Sequence, residues 1–167
     1  APYKSTTVSE KVESKRVLDA VKIIQNHSNL PISVDTCRSS VARDSLECGV
    51  EIINDISGLK YDVKMQEVIS KFSPSLILCA YSSKTVHGSP VSVTKKLLKE
   101  SLTIAKNSNI DTEKILLDPA VGFFRKSGIG HFFTKIKTDW VHRDLSILKH
   151  LNSIKQEFPI LISVSNK

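Results

Sequence analysis

The chain has 167 residues, 40% hydrophobic and 25% charged, the make-up of an ordinary globular domain able to bury one sizeable core. Its formal charge of +7 permits attraction to anions, but the lysines are scattered over helix faces and only 6% of the residues are aromatic, so no nucleic-acid partner is expected. No apolar run approaches the ~20 residues that cross a bilayer and no signal-peptide pattern opens the chain, so the expectation is no membrane and a cytoplasmic location.

Residues 8–26 carry Val17, Leu18, Val21 and Ile24 at helical spacing, which predicts a helix ending before the Asn-His-Ser-Asn turn. A strand at 31–35, a helix at 38–48 stopped by Gly49, and a strand at 50–54 make a compact βαβ unit. A helix at 62–71, with Val63, Val68 and Ile69 inward, leads through Pro74 to a strand at 75–80. The polar segment 81–90 is long for a βα loop and is expected to lie over a pocket and move. A helix at 91–107 buries Leu97, Leu98, Leu102 and Ala105, and a strand at 114–118 follows.

From Pro119 to Thr138 the chain is rich in glycine and phenylalanine, and its aromatics suit either a ligand-site wall or packing beneath the next helix. The spacing of Val141, Leu145, Leu148, Leu151 and Ile154 predicts a helix over 139–157, and a last strand spans 160–164. Cys37, Cys48 and Cys79 lack C-x-x-C spacing, and His27, His87, His131, His142 and His150 form no zinc pattern. No metal site or disulfide framework is therefore expected, and the cysteines read as small core residues.

Five short runs of Ile, Val and Leu alternate strictly with helices, the pattern of buried parallel strands, and a single domain over 1–167 is expected. A doubly wound sheet would fit, but no G-x-G-x-x-G or phosphate-binding loop is present. The alternative is part of a (β/α)8 barrel, although the length is below the ~250 residues typical of that fold. Four of the runs stop on polar groups: Asp35, Asn54, Asp118, and the Ser165-Asn-Lys167 end. Ligands bind at the carboxyl ends of parallel strands, so these residues read as one pocket, with helix capping as the competing explanation for each alone.

Ile32-Ser-Val-Asp35-Thr36, Ile52-Ile-Asn54-Asp55-Ile56-Ser57-Gly58, Asp118-Pro119 with Gly122-Phe123, and Ser165-x-Lys167 together resemble dihydropteroate synthase, a pterin-binding TIM barrel, in order and spacing. The resemblance implies that the strands are the third to seventh of eight, that the barrel is incomplete at both ends of the chain, and that the isolated piece is inactive. It also implies condensation of 6-hydroxymethyl-7,8-dihydropterin diphosphate with p-aminobenzoate or a related arylamine, releasing pyrophosphate, with magnesium on the diphosphate and a homodimer at full length. Asp35, Asn54, Asp118 and Lys167 would bind the pterin. Asp35 and Lys167 would be catalytic, an ionised Asp35 stabilising the cation formed as pyrophosphate leaves. Phe123, Arg125, Ser165 and Arg38 are candidates for arylamine or phosphate contacts, and no metal ligand is expected within the chain.

The pattern departs from bacterial members of the family at Cys79-Ala80-Tyr81, at Ala120-Val121 where a glycine-rich turn is usual, and at Ser163 in place of a glycine. These departures point to a divergent, archaeal-type branch. Alternatives on the same barrel are a methyltetrahydrofolate:corrinoid methyltransferase, to which the D-P-x-x-G and S-x-K features are less suited, and a non-catalytic pterin-binding homologue.

Overall fold

A computed structural model of the chain describes residues 7–127 and 133–163. Helix α1 (Glu10–Gln25) starts at Ser9, whose hydroxyl accepts from the Val12 amide, and Glu10 and Glu13 lie in the first turn, where the helix dipole favours negative charge. Then follow β1 (Ser33–Asp35), α2 (Ser39–Glu47), β2 (Ile52–Asp55), α3 (Lys64–Phe72), β3 (Ser75–Cys79), α4 (Pro90–Asn107) and β4 (Ile115–Asp118). Gly49, at φ 92°, turns the chain out of α2 as expected, its amide donating to the Leu46 carbonyl at 3.0 Å.

Strands β1 to β4 form one parallel sheet in the order β1-β2-β3-β4. Each strand adds beside its predecessor without reversal. A doubly wound sheet changes direction at its switch point, so this order belongs to consecutive strands of a barrel. The register aligns Val34, Ile53, Leu76 and Ile115 on one face, none more than 6% exposed. That face shares a core with Val21 of α1, Ala42 of α2, Val68 and Ile69 of α3, and Leu97 and Leu98 of α4. Asp35 and Asn54 are register partners on the opposite face, and Cys79 and Asp118 are partners further along the same face.

The run expected as a fifth strand enters as a single parallel bridge, Ile160 to Leu117, beside β4. The Leu117 amide donates to Pro159 and the Leu161 amide to Leu117, both at 2.9 Å. Residues 164–167 lie outside the described residues.

The segment after β4 contains a short parallel pair, β5 (Phe124–Arg125) and β6 (Thr134–Lys135). The 81–90 segment is tied to it: Val86 bridges Ile136, and the Ser82 amide donates to Thr134 Oγ1 at 2.9 Å. The helix expected over 139–157 is two helices, α5 (Trp140–Lys149) and α6 (Leu151–Lys155), broken at His150.

Its inward face also differs from expectation. Val141, Leu145 and Leu148 are 43%, 61% and 39% exposed, while Arg143, Asp144 and Ile147 are buried. Two apolar stripes run along this helix, and the one that packs, through Trp140, Ile147, Leu151 and Ile154, carries an ion pair between its apolar members. Val63, expected inward, is exposed as well, and so is Ile24 from the helically spaced apolar set of α1. Val63 precedes the first turn of α3, and α1 buries only Val21 fully.

Candidate functional site

Asp35, Asn54 and Asp118 stand at or near the carboxyl ends of β1, β2 and β4, on the face opposite the helix-packed one. Burial deepens across the sheet: Asp35 is exposed, Asn54 half-buried and Asp118 only 3% exposed. The Asn54 Nδ2 donates to Asp35 Oδ1 at 2.8 Å. Because a carboxylate can only accept, this bond fixes the amide's orientation. The Asn54 Oδ1 is thereby left buried with no partner among the described residues, an acceptor awaiting a donor.

Asp118 is the electrostatic centre of the cluster. Burial pushes its carboxyl up to about 6; the Ala120 amide, the Arg143 guanidinium and the Ser163 hydroxyl hold it down, while the Asp35 charge works with burial. The Ala120 amide donates to Asp118 Oδ1 at 2.7 Å. A carboxylate offers about four acceptor directions, so beside the Ala120 amide there remains capacity for two donors. Ser163, one of the departures noted in the sequence, thus brings near Asp118 a hydroxyl that glycine lacks.

The other candidates divide. Phe123 is half-buried, and its carbonyl accepts from the Thr134 amide at 3.0 Å. Arg125 stacks on Trp140, Cζ 4.0 Å from the ring centre, and donates to the Phe124 carbonyl at 2.8 Å. Arg38 has partners within the chain: its guanidinium pairs with Glu13 at 2.7 Å and donates to the Val8 carbonyl at 2.8 Å, so its charge joins α1 to the start of α2. Ser165 and Lys167 lie outside the described residues.

Sequence reasoning missed Arg143 and Asp144. Arg143 is 2% exposed; it donates to the carbonyls of Pro119 at 2.5 Å and Ala120 at 2.9 Å, to Thr94 Oγ1 at 2.8 Å and to Asp144 at 2.8 Å, and it lies 3.7 Å over the Phe124 ring. Asp144 accepts the Gly122 amide at 2.8 Å. The first turn of α5 therefore grips the 119–122 turn from both ends. The available signal was the phase of Arg143 and Asp144 with Trp140 and Ile147, outweighed by the more apolar competing stripe.

Asp55 was also missed. It accepts from the Ser57 amide and hydroxyl and from the Leu59 amide at 2.6–2.8 Å, shaping the β2–α3 loop. Burial raises its carboxyl, and hydrogen bonds from Ser57, Leu59 and Cys37 oppose the rise. Cys37 and Cys79 are buried free thiols, both pushed well up by burial first and so away from the reactive thiolate form.

A cavity of about 70 Å³ lies between the 86–90 and 136–138 segments, bounded by His87, Val93, Phe124, Ile136, Lys137 and Arg143. It includes none of Asp35, Asn54 or Asp118. Among the described residues no group of three or more His, Cys, Asp or Glu side chains could hold a metal ion.

Residues 2–167 match the family model described as pterin binding enzyme. The chain belongs to that family. It is 31% identical over 161 residues to the dihydropteroate synthase of Clostridium beijerinckii, covering 96% of this chain and 55% of that one, and 30% identical to that of Bacillus subtilis, covering 96% and 52%. The chain thus spans about half the length of the curated relatives it matches. Among solved structures it is similar to a dihydropteroate synthase from Clostridium difficile, determined in the presence of pteroic acid, with a TM-score of 0.84 and 30% identity over 98% of this chain and 58% of that one. The Xanthomonas albilineans synthase with 4-aminobenzoic acid shares the fold, with a TM-score of 0.82 at 22% identity over 97% and 55%. Family membership and the sheet order agree on an α/β architecture that is part of a (β/α)8 barrel. No helix of the described chain is long and apolar enough to cross a membrane.

Proposed function

We propose that the full-length protein is a dihydropteroate synthase, joining a hydroxymethyl-dihydropterin diphosphate to p-aminobenzoate or a related arylamine with release of pyrophosphate. The observation that carries this reading is the acceptor set. Asp118, with room for two donors, and the unpartnered Asn54 Oδ1 suit the amino and ring N–H edge of a pterin, which a carboxylate can receive as a bidentate pair. Relatives bearing that activity at 30–31% identity support it.

In this reading the pterin lies against β1 to β4 with its donor edge on Asp118, and its methylene carbon is presented to the arylamine. Asp35, exposed and fixed by Asn54, supplies negative charge where the C–O bond to the diphosphate breaks and the methylene carbon becomes cationic. The arylamine nitrogen then forms the new C–N bond and loses a proton, with Phe123, Arg125, Ser165 and Lys167 as proposed contacts around that event. Arg38, whose guanidinium also pairs with Glu13 of α1, is a further proposed contact for phosphate or the benzoate carboxylate. Magnesium carried on the substrate's diphosphate remains part of this proposal, and no step above depends on it. A homodimer and a cytoplasmic location remain part of this proposal.

The test is pyrophosphate release and dihydropteroate formation by the full-length protein, with and without Asp35→Asn. The expected result is product from the wild type and a loss of at least tenfold in the variant. Undiminished turnover in Asp35→Asn would overturn the catalytic role, and pterin binding without product would favour a non-catalytic homologue.

A further inference from the structure

Asp118 is held by a turn that is intrinsically unfavourable. Its partner amide belongs to Ala120, which sits at φ 62°, a left-handed conformation that costs a residue with a Cβ about 1–2 kcal/mol. Nothing in the local sequence makes Ala120 adopt it. The carbonyls of Pro119 and Ala120 both point to Arg143, and the same guanidinium is locked by Thr94 on α4, Asp144 on α5 and the face of Phe124 on β5. A planar fork with five donors can serve these acceptors together, which a lysine cannot.

We propose that Arg143 is a positioning residue for Asp118: it fixes the Pro119–Ala120 turn, and through the Ala120 amide the direction of the carboxylate, without itself forming part of the binding edge. This rests on the reading of Asp118 as the pterin-binding carboxylate. Arg143 also acts through space. The groups that bear on Asp118 are Asp35 from β1, Cys79 from β3, the Ser163 hydroxyl and Arg143 with its partner Asp144 from α5, and Arg143 is the cation among those described. Removing it therefore favours the protonated carboxyl, which cannot accept two donors.

The experiment compares wild type, Arg143→Lys and Arg143→Met in the full-length protein. Two quantities are read: the Asp118 carboxyl titration by carbon-13 NMR in the free protein, and the affinity for 6-hydroxymethylpterin at pH 8. Arg143→Lys keeps the cation but cannot hold both carbonyls, so affinity falls about tenfold while the midpoint stays near about 6. Arg143→Met loses both, so affinity falls and the midpoint rises above the wild-type value. A purely structural arginine would lower thermal stability while leaving midpoint and affinity unchanged in folded protein, and that result overturns the proposal.

Thr94→Val removes one acceptor of the guanidinium at nearly constant volume and gives a smaller loss of affinity in the same direction, readable even where the Arg143 variants do not fold. No change in Thr94→Val under those circumstances also overturns the proposal. Asp118→Asn is measured alongside. Wild-type affinity in that variant means the pterin reading of Asp118 has failed, and the carboxyl titration still decides the role of Arg143.

Discussion

Asp118 places binding and stability in opposition. Its carboxyl keeps a proton up to about 6 when folded, against 3.8 for the ordinary side chain, so folding is favoured by this group at low pH and loses that contribution as pH rises from about 4 to 6. Above pH 6 the buried charge remains a cost. Asp118→Asn should therefore raise stability at pH 7, by up to about 2 kcal/mol in denaturant unfolding, while abolishing pterin binding. A variant that is both destabilised and competent would contradict the electrostatic account. Ala120→Gly relieves the left-handed strain at the neighbouring residue and should stabilise the fold by about 0.5–1 kcal/mol, the loss of strain exceeding the added chain entropy. Equal or lower stability in thermal unfolding would show that the turn is not strained.

The elements show why some features could be read from sequence and others could not. Buried parallel strands are plain apolar runs, so β1 to β4 were legible, as was the Gly49 exit from α2. Helix faces were less so. In α5 the stripe Val141, Leu145 and Leu148 is more apolar than the one that packs, because Arg143 and Asp144 are needed inward to satisfy carbonyls and an amide of the 119–122 turn. Pattern reasoning ranks apolarity and cannot see backbone groups from a distant turn that demand partners. The β2–α3 loop illustrates the same point: Gly58, at φ 59°, would place a Cβ 2.4 Å from Ser101 Oγ and 2.7 Å from the Cys79 carbonyl. Gly58→Ala should cost more than about 2 kcal/mol in unfolding experiments, and Ser101→Ala should restore only part, since the Cys79 carbonyl stays in place. Full rescue would mean that the side chain alone sets the limit.

At the scale of the molecule, the sequential strand order places three polar strand ends, Asp35, Asn54 and Asp118, on one face of the sheet. The residues of that face were legible because polar groups closing apolar runs stand out. Their ranking was not: the sequence gives Asp35, Asn54 and Asp118 equal weight, whereas folding exposes the first, orphans the Oδ1 of the second and buries the third. The partner of Arg38 was not legible either, since the ion pair with Glu13 joins residues 25 positions apart.

The central claim is that the ionised Asp118 receives the pterin's donor edge, and calorimetric titration of 6-hydroxymethylpterin into wild-type protein and Asp118→Asn between pH 5 and 8 tests it most directly. Wild-type affinity should be level above about pH 7 and fall as the pH drops through about 6, while the variant should bind at least about 100-fold more weakly at neutral pH, with no such pH dependence. Wild-type affinity and the same acid limb in Asp118→Asn would contradict the account.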